Sequence, residues 1–179
     1  APTMSLPEQP GGARNWDYRF CWLRDATFTL LALMNAGYYE EAMAWRGWLM
    51  RAVAGDASQV QIMYGLRGER RLSEWEVPWL TGYDGSRPVR VGNAAAEQLQ
   101  LDIYGHLLDA SCVYLQRRGV TVGEDLAAVL SWLADEAARR WREPDHGLWE
   151  MRRPPAHHVS SKLMCWVALD RALRLSRSE

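Results

Sequence analysis

The sequence is poor in the features that assign a protein by composition alone. It has three cysteines and two phenylalanines in 179 residues, and a formal net charge of −1. No apolar run approaches the roughly 20 residues of a membrane span. Cys21, Cys112 and Cys165 form an odd, scattered set without a CxxC pair. A disulfide framework and a structural zinc site are therefore not expected, and reduced thiols in a cytoplasmic setting are. The near-zero net charge removes the electrostatic basis for a nucleic-acid or anionic-membrane partner, and neither is expected. The chain opens Ala-Pro-Thr rather than with Met, so a preceding targeting segment stays open.

Tryptophan is what the sequence has in excess, with ten residues. Each offers a large flat apolar face and one N–H donor. Such faces either fill a core or stack on the C–H side of a pyranose ring, and composition does not choose between the two.

Periodicity predicts five helices, over about 26–36, 38–54, 94–117, 124–142 and 159–175. The first, third and fifth are apolar on most sides, as with Phe28, Leu30, Leu31, Leu33 and Met34 in the first. The second and fourth carry one apolar stripe, the fourth through Leu126, Val129, Leu130, Leu133, Ala137 and Trp141. A helix that is apolar all round needs cover on all sides, whereas a striped one keeps a face in water. Their alternation predicts an inner layer of helices wrapped by an outer layer. Both an (α/α)₆ toroid and a two-layer solenoid have that plan.

Loop lengths alternate too. Short links follow the first and third helices, and long loops over 55–93 and 143–158 precede the third and fifth. Long ordered loops in a compact domain are commonly functional. These and the N-terminal segment all meet the N-terminal ends of the inner helices, so one end of the layer is expected to carry the chemistry. Within 55–93, alternation at Val60, Ile62 and Tyr64 before Arg67-Gly68-Glu69 predicts a small hairpin.

Two polar, aromatic segments stand out at that end. The first is Asn15-Trp16-Asp17-Tyr18-Arg19-Phe20-Cys21-Trp22-Leu23-Arg24-Asp25. Asp25 reads equally as a plain helix N-cap, and Arg24 as a charge paired with Asp17. The second is Asp145-His146-Gly147-Leu148-Trp149-Glu150. A carboxyl group beside Trp149 in a crowded loop would be desolvated, which keeps its proton available for donation. A solvated loop glutamate is the alternative. His157-His158 has no further ligands nearby in sequence and reads as a helix start rather than a metal pair.

These segments, with Leu80-Thr81-Gly82-Tyr83, Gly85-Ser86-Arg87-Pro88-Val89-Arg90, Gly92-Asn93-Ala94-Ala95, Gln98-Leu99-Gln100-Leu101-Asp102 and Ser161 through Ala172, resemble the bacterial glucoamylase and trehalase-like glycoside hydrolases, family fifteen. The resemblance covers essentially the whole chain. It implies an all-α (α/α)₆ toroid, no metal or other cofactor, and hydrolysis of an α-glucoside or oligosaccharide with inversion. It implies that Trp22 is a wall of the pocket for the non-reducing glucose, with Arg24 and Asp25 bonding to sugar hydroxyls. Tyr18 falls near the reaction centre, Trp149 falls among the substrate-binding residues, and Glu150 takes the general-acid position.

Starch-cleaving relatives tend to carry a Trp and a Pro-Gln segment where this chain reads Arg90-Val91-Gly92-Asn93-Ala94, which leaves trehalose open beside α-glucans. The family's catalytic base lies far downstream. Residues 1–179 are accordingly expected to be a partial catalytic domain, inactive by themselves, whose partner is the C-terminal half of the same domain. Two rival readings share the fold: a non-catalytic carbohydrate-binding domain and a phosphorolytic enzyme.

Overall fold

The computed structural model describes residues 5–53 and 60–177. They form α1 (Leu23–Asn35), α2 (Tyr39–Val53), α3 (Asp102–Arg118), α4 (Glu124–Arg140) and α5 (Val159–Ser176). Four two-residue strands accompany them: β1 (Cys21–Trp22), β2 (Met63–Tyr64), β3 (Trp75–Glu76) and β4 (Arg90–Val91). The chain is all-α in two layers. α3 packs between α1 and α5, α2 covers α1, and α4 lies across α3 and α5.

Local sequence explains where the helices turn. α1 ends on Ala36, and Gly37 adopts φ +90° beyond it. Gly37 N–H then bonds to Met34 O at 3.1 Å and Tyr38 N–H to Leu33 O at 2.9 Å. This paired closure needs the left-handed residue that glycine supplies without strain, and it reverses the chain into α2. On α3, Gly105 permits close approach to α5: an added Cβ would lie 2.2 Å from the Met164 carbonyl oxygen.

The outer helix α4 buries Leu126, Leu130, Leu133 and Ala137 along one stripe, as its periodicity predicts. Trp141 does not belong to that stripe. It caps the helix, stays 40% exposed, and has the Arg142 guanidinium 4.3 Å above its ring. The inner helices differ among themselves. α3 is buried through Ile103, Tyr104, Leu107, Leu108 and Leu115, because helices cover it on both flanks. α1 leaves Phe28 exposed, and α5 leaves Leu163, Trp166 and Leu173 exposed. An inner helix at the edge of the layer has one neighbour where α3 has two.

Two expectations are corrected here. The helix predicted over 94–117 is broken: a 3₁₀ turn at Ala94–Glu97 gives way to extended backbone at Gln98, and α3 starts only at Asp102. Tertiary hydrogen bonds described below hold residues 98–101 out of the helix. The hairpin predicted around Arg67-Gly68-Glu69 makes its turn, with Gly65 N–H on Glu69 O at 2.8 Å. Its strand, however, pairs with the segment before α1: Cys21 opposite Tyr64 and Trp22 opposite Met63. Part of the long loop, 54–59, lies outside the described residues.

Asp145 ties the loop ends together. It is fully buried, and its Oδ2 accepts from Leu101 N–H at 3.0 Å and from Ser161 O–H at 2.7 Å. One carboxylate thus fixes the starts of α3 and α5 side by side. Asp145→Ala leaves two buried donors unpaired, and a loss of about 2–4 kcal/mol is expected in urea unfolding. A midpoint unchanged from the parent chain would reject that role.

Candidate active site

Glu150 sits at the end of a tight turn, with its N–H on Gly147 O at 3.1 Å and its own φ at +53°. A non-glycine residue in the left-handed region is strained, and such strain persists only where the surroundings fix it. Several contacts do so here. Gln98 Nε2 donates to the carbonyls of Glu150 and Met151 at 3.3 and 3.4 Å. His146 N–H donates to Leu99 O at 3.0 Å, which draws residues 98–101 against the loop. Arg152, two residues on, forms a bidentate pair with Glu74 at 2.7 and 2.5 Å and stacks 4.1 Å above the Trp16 ring. That guanidinium holds the Glu74 carboxyl below its ordinary range.

The turn aims the Glu150 carboxyl at the start of α1. Trp22 Nε1 donates to its Oε1 at 2.5 Å, and Arg24 Nη2 lies 3.6 Å away. Arg24 is shared widely. Nη2 also faces Asp25 Oδ2 at 3.3 Å, while Nη1 donates to Gln100 Oε1 at 3.1 Å and lies 3.7 Å from Asp102 Oδ2. Burial pushes the Glu150 carboxyl above its ordinary range. The Trp22 N–H, the Arg24 charge and the neighbouring Gln100 amide pull it back without cancelling that rise. A raised pKa lets a carboxyl keep its proton to higher pH, as a proton donor requires.

Tyr18, Trp22, Arg24, Asp25, Trp149 and Glu150 all line one cavity of about 590 Å³. Tyr18, Trp149 and Glu150 also line a second cavity of about 580 Å³, completed by Glu8, Arg14, Trp16 and Arg152. The Glu150 carboxyl thus faces the boundary of two adjoining spaces. The Tyr18 and Trp22 rings lie 5.5 Å apart, and burial raises the Tyr18 hydroxyl above its ordinary range.

Some details differ from the sequence reading. Asp25 is not an N-cap: Trp22 occupies that position, and Asp25 stands in the first turn. Arg24 does not pair with Asp17, which instead holds Arg19 at 2.8 and 2.7 Å and accepts from Gly92 N–H. Trp149 does not desolvate Glu150. Its side chain points outward at 81% exposure, and Glu150 is shielded by the start of α1 and residues 98–100. His158 is the N-cap of α5, and its ring fills the space where a side chain at Gly147 would stand. Among the described residues, no group of His, Cys, Asp or Glu is arranged to hold a metal ion, and no helix is long and apolar enough to cross a membrane.

In the sequence, Gln98, Gln100 and Asp102 belong to a matching segment without assigned roles. Their signal in the sequence was polarity at alternate positions between Leu99, Leu101 and Ile103.

The family model for Glycosyl hydrolases family 15 matches residues 1–178. The chain belongs to that family. Its five helices are accordingly part of the all-α (α/α)₆ toroid of family 15. Among its relatives is a protein named Trehalase from Mycolicibacterium smegmatis, 47% identical over 179 residues, covering 98% of this chain and 27% of the relative. A Trehalase from Mycobacterium tuberculosis is 47% identical over 182 residues, covering 100% of this chain and 27% of the relative. Trehalase 1 from Sulfolobus acidocaldarius is 43% identical over 173 residues, covering 96% and 31%. The chain therefore spans about a quarter to a third of the length of these relatives. No solved structure matches it.

Proposed function

We propose that the protein to which this family 15 chain belongs is an inverting α-glucoside hydrolase acting on trehalose, and that this chain supplies its glucose pocket and general acid. The observation that carries the reading is Glu150: a carboxyl whose pKa burial raises, bonded to Trp22 and facing Arg24 in a cavity lined by Tyr18, Trp22, Asp25 and Trp149. The relatives' shared name favours trehalose over α-glucans as the substrate.

The roles follow from the chemistry of the bond. Trp22 forms a wall for the non-reducing glucose, with Tyr18 beside it. Arg24 donates to sugar hydroxyls, and Asp25 accepts from them. Trp149, exposed at the mouth, offers a face to the sugar. The Glu150 proton passes to the glycosidic oxygen as the C1–O bond breaks. A water attacks C1 from the opposite side and loses its proton to a base. In an inverting enzyme that base lies about 6.5–9.5 Å from the acid, leaving room for the water. The base is assigned to the remainder of the longer protein, so residues 1–179 alone are expected to be inactive. That remainder is also the partner assigned to the uncovered flanks of α1 and α5.

The test is hydrolysis of α,α-trehalose and of malto-oligosaccharides by the full-length protein, with product anomers followed by NMR. Equal amounts of α- and β-glucose from trehalose, with poor turnover of malto-oligosaccharides, are expected. Efficient release of β-glucose from malto-oligosaccharides would replace trehalase with a glucoamylase-like activity. Glucose binding without turnover of any α-glucoside would leave only a carbohydrate-binding domain.

A further inference from the structure

Asp102 is the first residue of α3, is 1% exposed, and lines neither cavity beside Glu150. Neither of its carboxylate oxygens accepts a hydrogen bond. The Arg24 guanidinium stands back, with Nη1 at 3.7 Å, and the His106 ring Nε2 lies at 3.6 Å. A buried carboxylate without donors is costly, and a long ion pair does not recover that cost. As the first residue of α3, Asp102 meets the positive end of that helix's dipole, and its place behind Arg24 gives it a second role.

Resting on the reading of Glu150 as the acid, we infer that Asp102 is a positioning residue: it steadies Arg24 from behind and offsets that guanidinium's field at Glu150. Arg24 meets two environments. Nη1 faces Gln100 and Asp102 within the protein, and Nη2 faces Asp25 and Glu150 at the cavity. An arginine that binds sugar hydroxyls beside a general acid creates a conflict, because its positive charge favours loss of the acid's proton. A carboxylate on its far side weakens that pull without touching the sugar. Asp25 contributes in the same sense, but its side chain is 67% exposed and solvent screens it. Asp102 is shielded from solvent, and screening there is weaker.

The other charged or titratable groups are accounted for. Glu150 faces Arg24 and Asp25 from α1, Tyr18 from the preceding segment and Arg152 from its own loop. Asp102 faces Arg24 from α1, His106 on its own helix and Cys165 from α5. Among these groups, Asp102 alone combines an ion pair to Arg24 with a place outside both cavities.

The experiment is the pH dependence of kcat in the full-length enzyme, with trehalose and maltose assayed side by side and the hydrolysed sugar used for the profile. Asp102→Asn removes the charge at constant size. Glu150 then loses its proton more readily, and the alkaline limb of the profile is expected to move to lower pH by about 0.5–1, less than a directly adjacent charge would produce. Glu150→Gln, run alongside, is expected to be nearly inactive. An unmoved limb in Asp102→Asn with Glu150→Gln inactive overturns this inference and leaves the acid assignment standing. An active Glu150→Gln overturns both. If Asp102→Asn does not fold, Asp102→Glu carries the test, since it keeps the charge and is expected to keep the parent limb even where kcat or KM suffers. A limb displaced downward in Asp102→Glu overturns the inference as well.

Discussion

Glu150→Gln in the full-length enzyme is expected to lower kcat by about 10²–10⁴-fold while KM changes little. The amide keeps the size of the side chain and accepts the Trp22 N–H as the carboxyl does, so the pocket for the sugar persists. What it lacks is the proton for the leaving oxygen. The loss should be largest where the leaving group is another sugar and smallest with α-glucosyl fluoride, whose leaving group needs no proton. Near-parental kcat on a disaccharide would remove Glu150 from the mechanism. Stability should move the other way. Burial raises the folded-state pKa of Glu150, so its contribution to stability is greatest at low pH and is lost as pH rises through that value. The glutamine carries no charge to desolvate, so its melting temperature at and above neutral pH should equal or exceed that of the parent.

The layered plan was legible because it rests on the one signal a sequence displays over long stretches, the angular spread of apolar residues around each helix. The same signal misread residues 94–101. Leu99, Leu101 and Ile103 continue an apolar pattern, yet Gln98 is extended and α3 starts only at Asp102. The bonds that hold this segment, Leu101 N–H to Asp145 and His146 N–H to Leu99 O, join residues 44 or more positions apart. No local pattern encodes them. Periodicity is equally silent on which side of an apolar helix finds a neighbour, so Phe28 and Trp166 looked as buried as Leu108.

In the candidate site, the residue types were legible but their pairings were not. Arg24 had an aspartate on either side in sequence, and Asp17 was claimed by Arg19, which reaches it with both nitrogens from two residues away. Trp149 stands next to Glu150 in sequence, but its side chain is left 81% exposed. The left-handed turn at Glu150 sends the carboxyl inward and leaves the preceding indole in solvent. The acid packs instead against Trp22 and Gln98, 128 and 52 positions away.

Expressed alone, residues 1–179 are expected to oligomerise, or to unfold at low denaturant, rather than behave as a stable monomer. The reason lies on α5. Val159, Leu163, Trp166 and Leu173 are all exposed, and their spacing of four, three and seven places them along one face. Phe28 adds an exposed ring on α1, the opposite edge of the inner layer. Each large apolar side chain left in water forgoes about 1.5–3 kcal/mol of burial. Net domain stability is only about 5–15 kcal/mol, so a few such residues consume most of it. In a closed toroid the same faces would be covered by further inner helices, which this reading assigns to the rest of the protein. Sedimentation of the isolated chain and urea unfolding check the expectation together. Replacing Leu163 and Trp166 with Gln should then suppress self-association, because the apolar face that drives it is interrupted at its centre. A monodisperse parent monomer with a cooperative, high-midpoint transition would show that these faces need no partner.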